Sequence, residues 1–416
     1  MATAFQGGST RPLLPLMTLS CAAGAFELVH GFIYPAIALN LEERGASADL
    51  IGYQAAMVGL GLALSPLVVP WLIARWGAAQ IGVANIALAS LTLLGFGLLD
   101  AVGAWFLLGL MFGMSANVWY VQSEVWLNEL SGEASRGRSV GLFVAIREGA
   151  FAFGPLLIPL LGYVGLWPYA TMALVIAWAG ILPMSLCRRA ERPPPTSIGE
   201  MISVGRTIPV LLFAVAVSGY ADGAVLPLWV IYALEQGVAK EQAVWTLSVI
   251  IFGSVVLQWP LGWIADKAPR GKVLGGCALA ACIGSVLLPA LDLTSWLAWP
   301  YLLVWGALGV GVYTLSLVVI GQYLSGTRLV VATAALGVTW GLGALLGSAI
   351  TGQAMAWFGA LGLPASVGLA YGALWALALF VPPTVGAAAV TGPGGPRSAG
   401  RIAAPGPMGT GSRCPG

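Results

Sequence analysis

Apolar runs of about 20 residues recur along nearly the whole chain, separated by short loops that hold most of its charge. A run of that length spans roughly 30 Å of hydrocarbon as an α-helix. A backbone in lipid must satisfy its own polar groups, which restricts the answer to helices or a closed barrel. The runs lack the alternation a lipid-facing strand needs. The chain therefore reads as an all-α membrane protein.

Composition agrees, with 59% hydrophobic and only 8% charged residues and a mean hydropathy of +0.90. Soluble domains carry roughly 25% charged residues. The net charge of +2 contains no basic block of the kind that binds nucleic acid. The five cysteines, Cys21, Cys187, Cys277, Cys282 and Cys414, have neither disulfide nor metal-site spacing and read as packing residues. The apolar run after Arg11 continues through "IYPAIAL", so it reads as a retained first span rather than a cleaved signal.

Hydropathy and loop signals predict twelve spans, near 14–39, 50–74, 78–99, 103–128, 139–161, 166–187, 208–234, 242–264, 273–291, 296–323, 329–355 and 361–382. The polar stretch "RRAERPPPTSIGEMISVGR" holds three consecutive prolines and marks the midpoint. The expected organisation is an N-terminal six-helix bundle over 1–187, a cytoplasmic linker over 188–207, a C-terminal six-helix bundle over 208–383 and a disordered cytoplasmic tail over 384–416. Of 18 Lys and Arg residues, this layout puts only Arg44 and Lys240 in outer loops and Arg147 inside the membrane. The rest fall on one side, which predicts that both termini are cytoplasmic. The expected location is the inner membrane of the cell.

The halves repeat at an offset of about 192 residues. "HGFIYPAIAL" (30–39) lies over "DGAVLPLWVI" (222–231), pairing Gly31 with Gly223 and Pro35 with Pro227. "PWLIAR" (70–75) lies over "GWIADK" (262–267), "LSG" recurs at 130–132 and 324–326, and Gly154 matches Gly347. Duplicated six-helix units predict a solute site between them near the midplane.

Twelve spans in a six plus six repeat, a central linker and "GWIADKAPRGK" (262–272) after span eight together resemble the major facilitator superfamily. Of its signature loop, Gly262, Asp266, Lys267 and Arg270 fit, while Pro269 replaces a glycine. The resemblance implies a cytoplasmic gate latched by Asp266 and basic helix ends. The matching loop after span two has Ala74 where the acid belongs, which implies a latch stronger in the second half. "EGAFAFGP" (148–155) is similar to the span-five motif ending in Gly-Pro of proton-coupled antiporters, although its spacing is one residue off. Gly149, Gly154 and Pro155 are read there as helix packing and a bend.

Ionisable groups inside the spans are few: Glu27, His30, Glu124, Arg147, Glu148 and Asp222. Each costs about 2.5–3.5 kcal/mol at the centre of a span and needs a partner, a cavity or a task. In the family that the chain resembles, spans one, four, seven and ten line the cavity. That implies a substrate chamber of Glu27, His30, Tyr34, Asn117, Tyr120, Asp222 and Tyr313. Helical spacing agrees, because Glu27, His30 and Tyr34 share one face and Asn117, Tyr120 and Glu124 another. Trp119, Trp229 and Trp305 lie deep enough to join such a pocket or to serve as packing.

Adjacent helical residues do not face each other, so Arg147 is expected to pair with Glu124 on the neighbouring span. That frees Glu148 for the chamber. Glu148, Asp222 and Glu27, with His30, are the candidate proton carriers, although for His30 a satisfied polar residue is the default reading.

The leading expectation is a secondary active transporter working by alternating access. Proton coupling and efflux of an amphipathic or cationic compound are favoured. Uptake of an anionic or polar metabolite held by Arg147 is an alternative, as is a sensor or assembly factor that keeps the fold without transport. No nucleotide loop or catalytic constellation is present in the sequence, so neither an enzyme nor a cofactor is expected. The expected partners are a small-molecule substrate, protons and the lipid bilayer, without nucleic acid, and the chain is expected to act as a monomer.

Overall fold

The computed structural model describes residues 13–130, 136–186, 198–324 and 326–381. The N-terminal half contains α1 (Leu13–Glu43), α2 (Ala48–Trp76), α3 (Ala78–Leu98), α4 (Val102–Leu130), α5 (Arg136–Phe153), α6 (Ile158–Leu161) and α7 (Leu166–Leu186). A short helix, α8 (Ile198–Gly205), precedes the C-terminal half. That half contains α9 (Pro209–Glu235), α10 (Lys240–Lys267), α11 (Arg270–Leu287), α12 (Ala298–Tyr323), α13 (Gly326–Phe358) and α14 (Gly362–Phe380).

Nine runs are long and apolar enough to cross a bilayer, or ten when the bent pair α5 and α6 counts as one span. One of the nine, Gly326–Phe380, is two helices, α13 and α14, and α7 adds a shorter apolar helix. Among the described residues these make the twelve spans read from hydropathy. The linker prolines, the tail over 384–416, Cys187, Cys414 and part of the first "LSG" lie outside the described residues. The linker also holds structure that the proline run did not suggest, since α8 packs Met201 against Val331 and Ala335 of α13.

The two halves use the same packing. In the first, α1 packs on α5, α2 on α4 and α3 on α7; in the second, α9 packs on α13, α10 on α12 and α11 on α14. The repeat-matched glycines explain how. A Cβ on Gly154 would lie 2.5 Å from the Leu28 carbonyl oxygen and the Phe32 amide nitrogen, so α5 and α1 meet backbone to backbone. Gly223 and Gly347 hold α9 against α13 in the same way. Pro35 and Pro227, also matched, both sit inside the first helix of their half.

Pro155 ends α5: it lacks an amide hydrogen and its ring crowds the preceding turn. The chain bends there by 41° through a short 3-10 turn, Pro155–Leu157, into α6. The bend and the Gly154 contact match the packing expected of "GAFAFGP". Gly149 does not, because a Cβ there would meet nothing within 4 Å. The space beside it is open, which the glycine alone could not reveal.

Between the halves, α2 runs against α13. Gly52 meets Gly352, Gly59 meets Leu345 and Gly341 meets Ala63, continuing to Pro66 beside Gly337. At the end where α1 terminates, polar contacts also cross. Tyr53 donates to Gln353 at 2.6 Å, and Lys240 Nζ donates to Glu43 Oε1 and to the Tyr163 hydroxyl, each at 2.8 Å. Tyr163 bonds Glu43 as well. Glu43 is held below the usual carboxylate range, first by the Lys240 hydrogen bond and then by Tyr163, and Lys240 is correspondingly raised.

Candidate functional chamber

A chamber of about 260 Å³ opens between the halves, halfway along the spans. From α1 it receives Glu27, His30 and Tyr34, one side chain per turn of a single face. From α4 come Asn117 and Tyr120, from α9 Asp222, and from α12 Tyr313. All seven residues expected to share a cavity therefore line one space. Glu124 is not among its lining residues.

Charge inside the chamber is arranged differently from the helical-face expectation. Arg147 Nη2 lies 2.6 Å from Glu148 Oε1, and its Nε lies 3.8 Å from Glu27 Oε1. Its guanidinium stacks 4.5 Å over the Tyr120 ring. Among the described residues Glu124 has no ion-pair partner within 4.0 Å, so the predicted Arg147–Glu124 pair is not formed. The rule that neighbours on a helix point apart applies to Cβ directions. Arginine has enough length past Cβ to curl back, and both side chains turn into the same chamber. Glu148 faces the chamber as expected, but as the partner of Arg147 rather than alone.

His30 completes this cluster, with Nδ1 3.5 Å from Glu27 Oε2 and the rings of Tyr34, Phe112 and Phe151 around the imidazole. Across the chamber, Asp222 has no basic side chain within 4.0 Å among the described residues. Tyr34, Trp340 and Tyr371 line the same space. The N-terminal wall thus holds a paired network, and the C-terminal wall holds a carboxylate without a described cation among aromatic rings.

The chamber sits where two duplicated helical units meet. A family model described as "Major Facilitator Superfamily" matches residues 19–206 and 211–405. The chain belongs to that superfamily.

Curated superfamily relatives agree. The uncharacterized MFS-type transporter YfkF of Bacillus subtilis (strain 168) is 24% identical over 59% of this chain and 64% of its own length, just under two thirds. The uncharacterized MFS-type transporter YcaD of Salmonella arizonae is 23% identical over 82% of this chain and 89% of its own. Among solved structures, a bacterial homolog of the human lysosomal transporter Spinster, inward-facing and occupied, superposes with a TM-score of 0.70 at 14% identity, covering 90% of this chain and 98% of that one. The nucleoside transporter NupG gives 0.70 at 11%, covering 88% and 98%. These show the superfamily fold. The protein is a multi-pass membrane transporter of this superfamily, not an enzyme.

The superfamily loop motif lies at the opposite end from Lys240. Arg270, the first residue of α11, donates to Asp266 at 3.2 Å, and Lys267 lies 3.6 Å over the Trp263 ring. Both contacts stay within the second half. Gly262 stands in open space, with no helix against it.

Sequence reasoning missed part of the wall. Phe151 of α5, Ser218 of α9, Trp340 of α13 and Tyr371 of α14 also line the chamber. Ser218 carried a signal, standing one turn before Asp222 on the same face. Of the deep tryptophans, Trp305 lines the chamber, Trp229 is fully buried and donates to Thr246, and Trp119 stacks on Phe26 behind α1.

Proposed function

We propose that this protein carries out proton-coupled secondary active transport of a small organic solute through the central chamber, with export of an amphipathic organic cation as the favoured task. The observation that supports this reading is the charge balance of the chamber. Arg147 is engaged by Glu148 and Glu27, while Asp222 has no described cation and stands among aromatic rings. A carboxylate beside aromatic faces suits an ammonium group, which gains from both. Uptake of an anion by Arg147 has less support, because the anion would have to displace two carboxylates.

Protons enter through Glu27, Glu148 and Asp222, the acids that a chamber opening alternately to each side would load and empty. The asymmetry of Lys and Arg supports an inner-membrane location with both termini cytoplasmic. On that reading the Lys240 end faces outside and the Asp266 end inside.

A thermal-shift screen of organic cations and anions on the purified protein tests the substrate class. A cation at 100 times its Kd should stabilise the protein by about 2.7 kcal/mol, and Asp222→Asn should weaken that binding tenfold or more. In proteoliposomes, Glu148→Gln and Asp222→Asn should abolish proton flux driven by the same cation. Unchanged flux in both variants would refute the coupling assignment, and stabilisation by anions alone would refute the cation.

A further inference from the structure

Behind the chamber, between α1, α3, α4 and α7, lies a second, small cavity of about 20 Å³ that shares Glu27, His30 and Ala116 with the chamber and is lined also by Phe26, Ser115 and Trp119 among others. Two of these side chains carry buried polar atoms without a partner in the protein, His30 Nε2 and Trp119 Nε1. Trp119 is only 2% exposed. A buried polar atom left unbonded costs about 1–3 kcal/mol, and two around one small space require a common explanation.

We infer that this cavity is a binding site for a single ordered water that joins Trp119 Nε1 to His30 Nε2. Its size fits: roughly 10–15 Å³ of space open to a water-sized sphere admits one water, and the water needs two to four polar partners. The partners are present. Trp119 Nε1 can only donate, so the water accepts from it and donates one hydrogen to the His30 Nε2 lone pair. The Ser115 hydroxyl, which donates to Asn85 O at 3.4 Å, keeps lone pairs for the second hydrogen.

This fixes the imidazole. With Nε2 accepting from the water, the ring hydrogen sits on Nδ1, on the side of Glu27 Oε2, 3.5 Å away. The contacts run from Trp119 through the water and His30 to Glu27, which faces Arg147 Nε at 3.8 Å, and Arg147 in turn bonds Glu148. Trp119 is thus a positioning residue for the charged chamber wall without touching the chamber. Its flat stack on Phe26, 4.1 Å between ring centroids, holds the indole in place.

The chain has one histidine, so labelling it with 15N gives a single imidazole to observe. In the full-length protein in lipid nanodiscs near neutral pH, nitrogen shifts should report a hydrogen on Nδ1 and none on Nε2, with magnetisation transfer from water to Nε2. Trp119→Phe removes the anchoring donor, so the water transfer should be lost and the fixed tautomer should relax to a mixture. Ser115→Ala should weaken the transfer less. A hydrogen found on Nε2, or no water contact there, would overturn the inference from the wild-type spectrum alone, even if the variants fail to fold. A wild-type spectrum retained in Trp119→Phe would overturn the role of the indole. These signals do not depend on which solute the chamber carries, so transport can fail while the water site stands, and the reverse.

Discussion

At the residue scale, Arg147 shows what helical periodicity can and cannot decide. The spacing of Glu27, His30 and Tyr34 and of Asn117 and Tyr120 brought five side chains to one chamber because backbone geometry fixes where each Cβ points. The partner of Arg147 depends on bonds beyond Cβ, where a long side chain has a choice, and there the periodic argument selected Glu124 wrongly. A double-mutant cycle in thermal unfolding separates the two pairings. Arg147→Gln with Glu148→Gln should show a coupling of about 1–3 kcal/mol, and Arg147→Gln with Glu124→Gln one near zero. A larger coupling to Glu124 would restore the pairing that periodicity suggested.

At the element scale, the joint between α1 and α5 depends on the absence of side chains. Gly154→Ala would drive a methyl group into the backbone of α1, costing about 1–3 kcal/mol or more. Gly149→Ala, one and a half turns earlier, should change stability by less than about 0.5 kcal/mol or raise it slightly, because its surroundings are open and alanine favours helix. Thermal unfolding in detergent measures both, and equal effects would show that the α1–α5 contact is looser than described. The sequence distinguished these glycines poorly. Both lie in one apparent motif among 57 glycines, and nothing local tells which face another helix will cover. The internal repeat told more, since Gly31, Gly154, Gly223 and Gly347 were matched by alignment of the halves and all four proved to be contact points. Trp340 and Tyr371 escaped because an aromatic residue within an apolar span looks the same whether it faces lipid, a helix or a cavity.

At the scale of the whole molecule, the end bearing Lys240 is bridged between the halves by a contact that titrates. Lys240 and Glu43 belong to different halves, and closure strengthens Glu43 as an anion. A carboxylate depressed in the closed form favours closure above its ordinary range, and that contribution disappears as pH falls through the depressed value. Both groups are 41% exposed, so the effect should be modest, about 0.2–1 kcal/mol and weaker in high salt. Spin labels on Ala101 and Gln236 should report a longer distance at acid pH, and Lys240→Gln should lengthen it at neutral pH and remove the pH response. A distance indifferent to both changes would show that the α2–α13 contact alone sets closure.

That contact has a practical side. Along α2 and α13 the chain meets itself largely through bare backbone, at Gly52, Gly59, Gly341 and Gly352. Such a surface has few interlocking side chains to disengage, and it gives an experimenter a place to insert a wedge. A tryptophan at Gly341, opposite Ala63, replaces none of the chamber's charged residues but prevents the two halves from meeting as they do here. It should hold the protein in the conformation in which this seam is parted, giving a trapped counterpart for structural comparison.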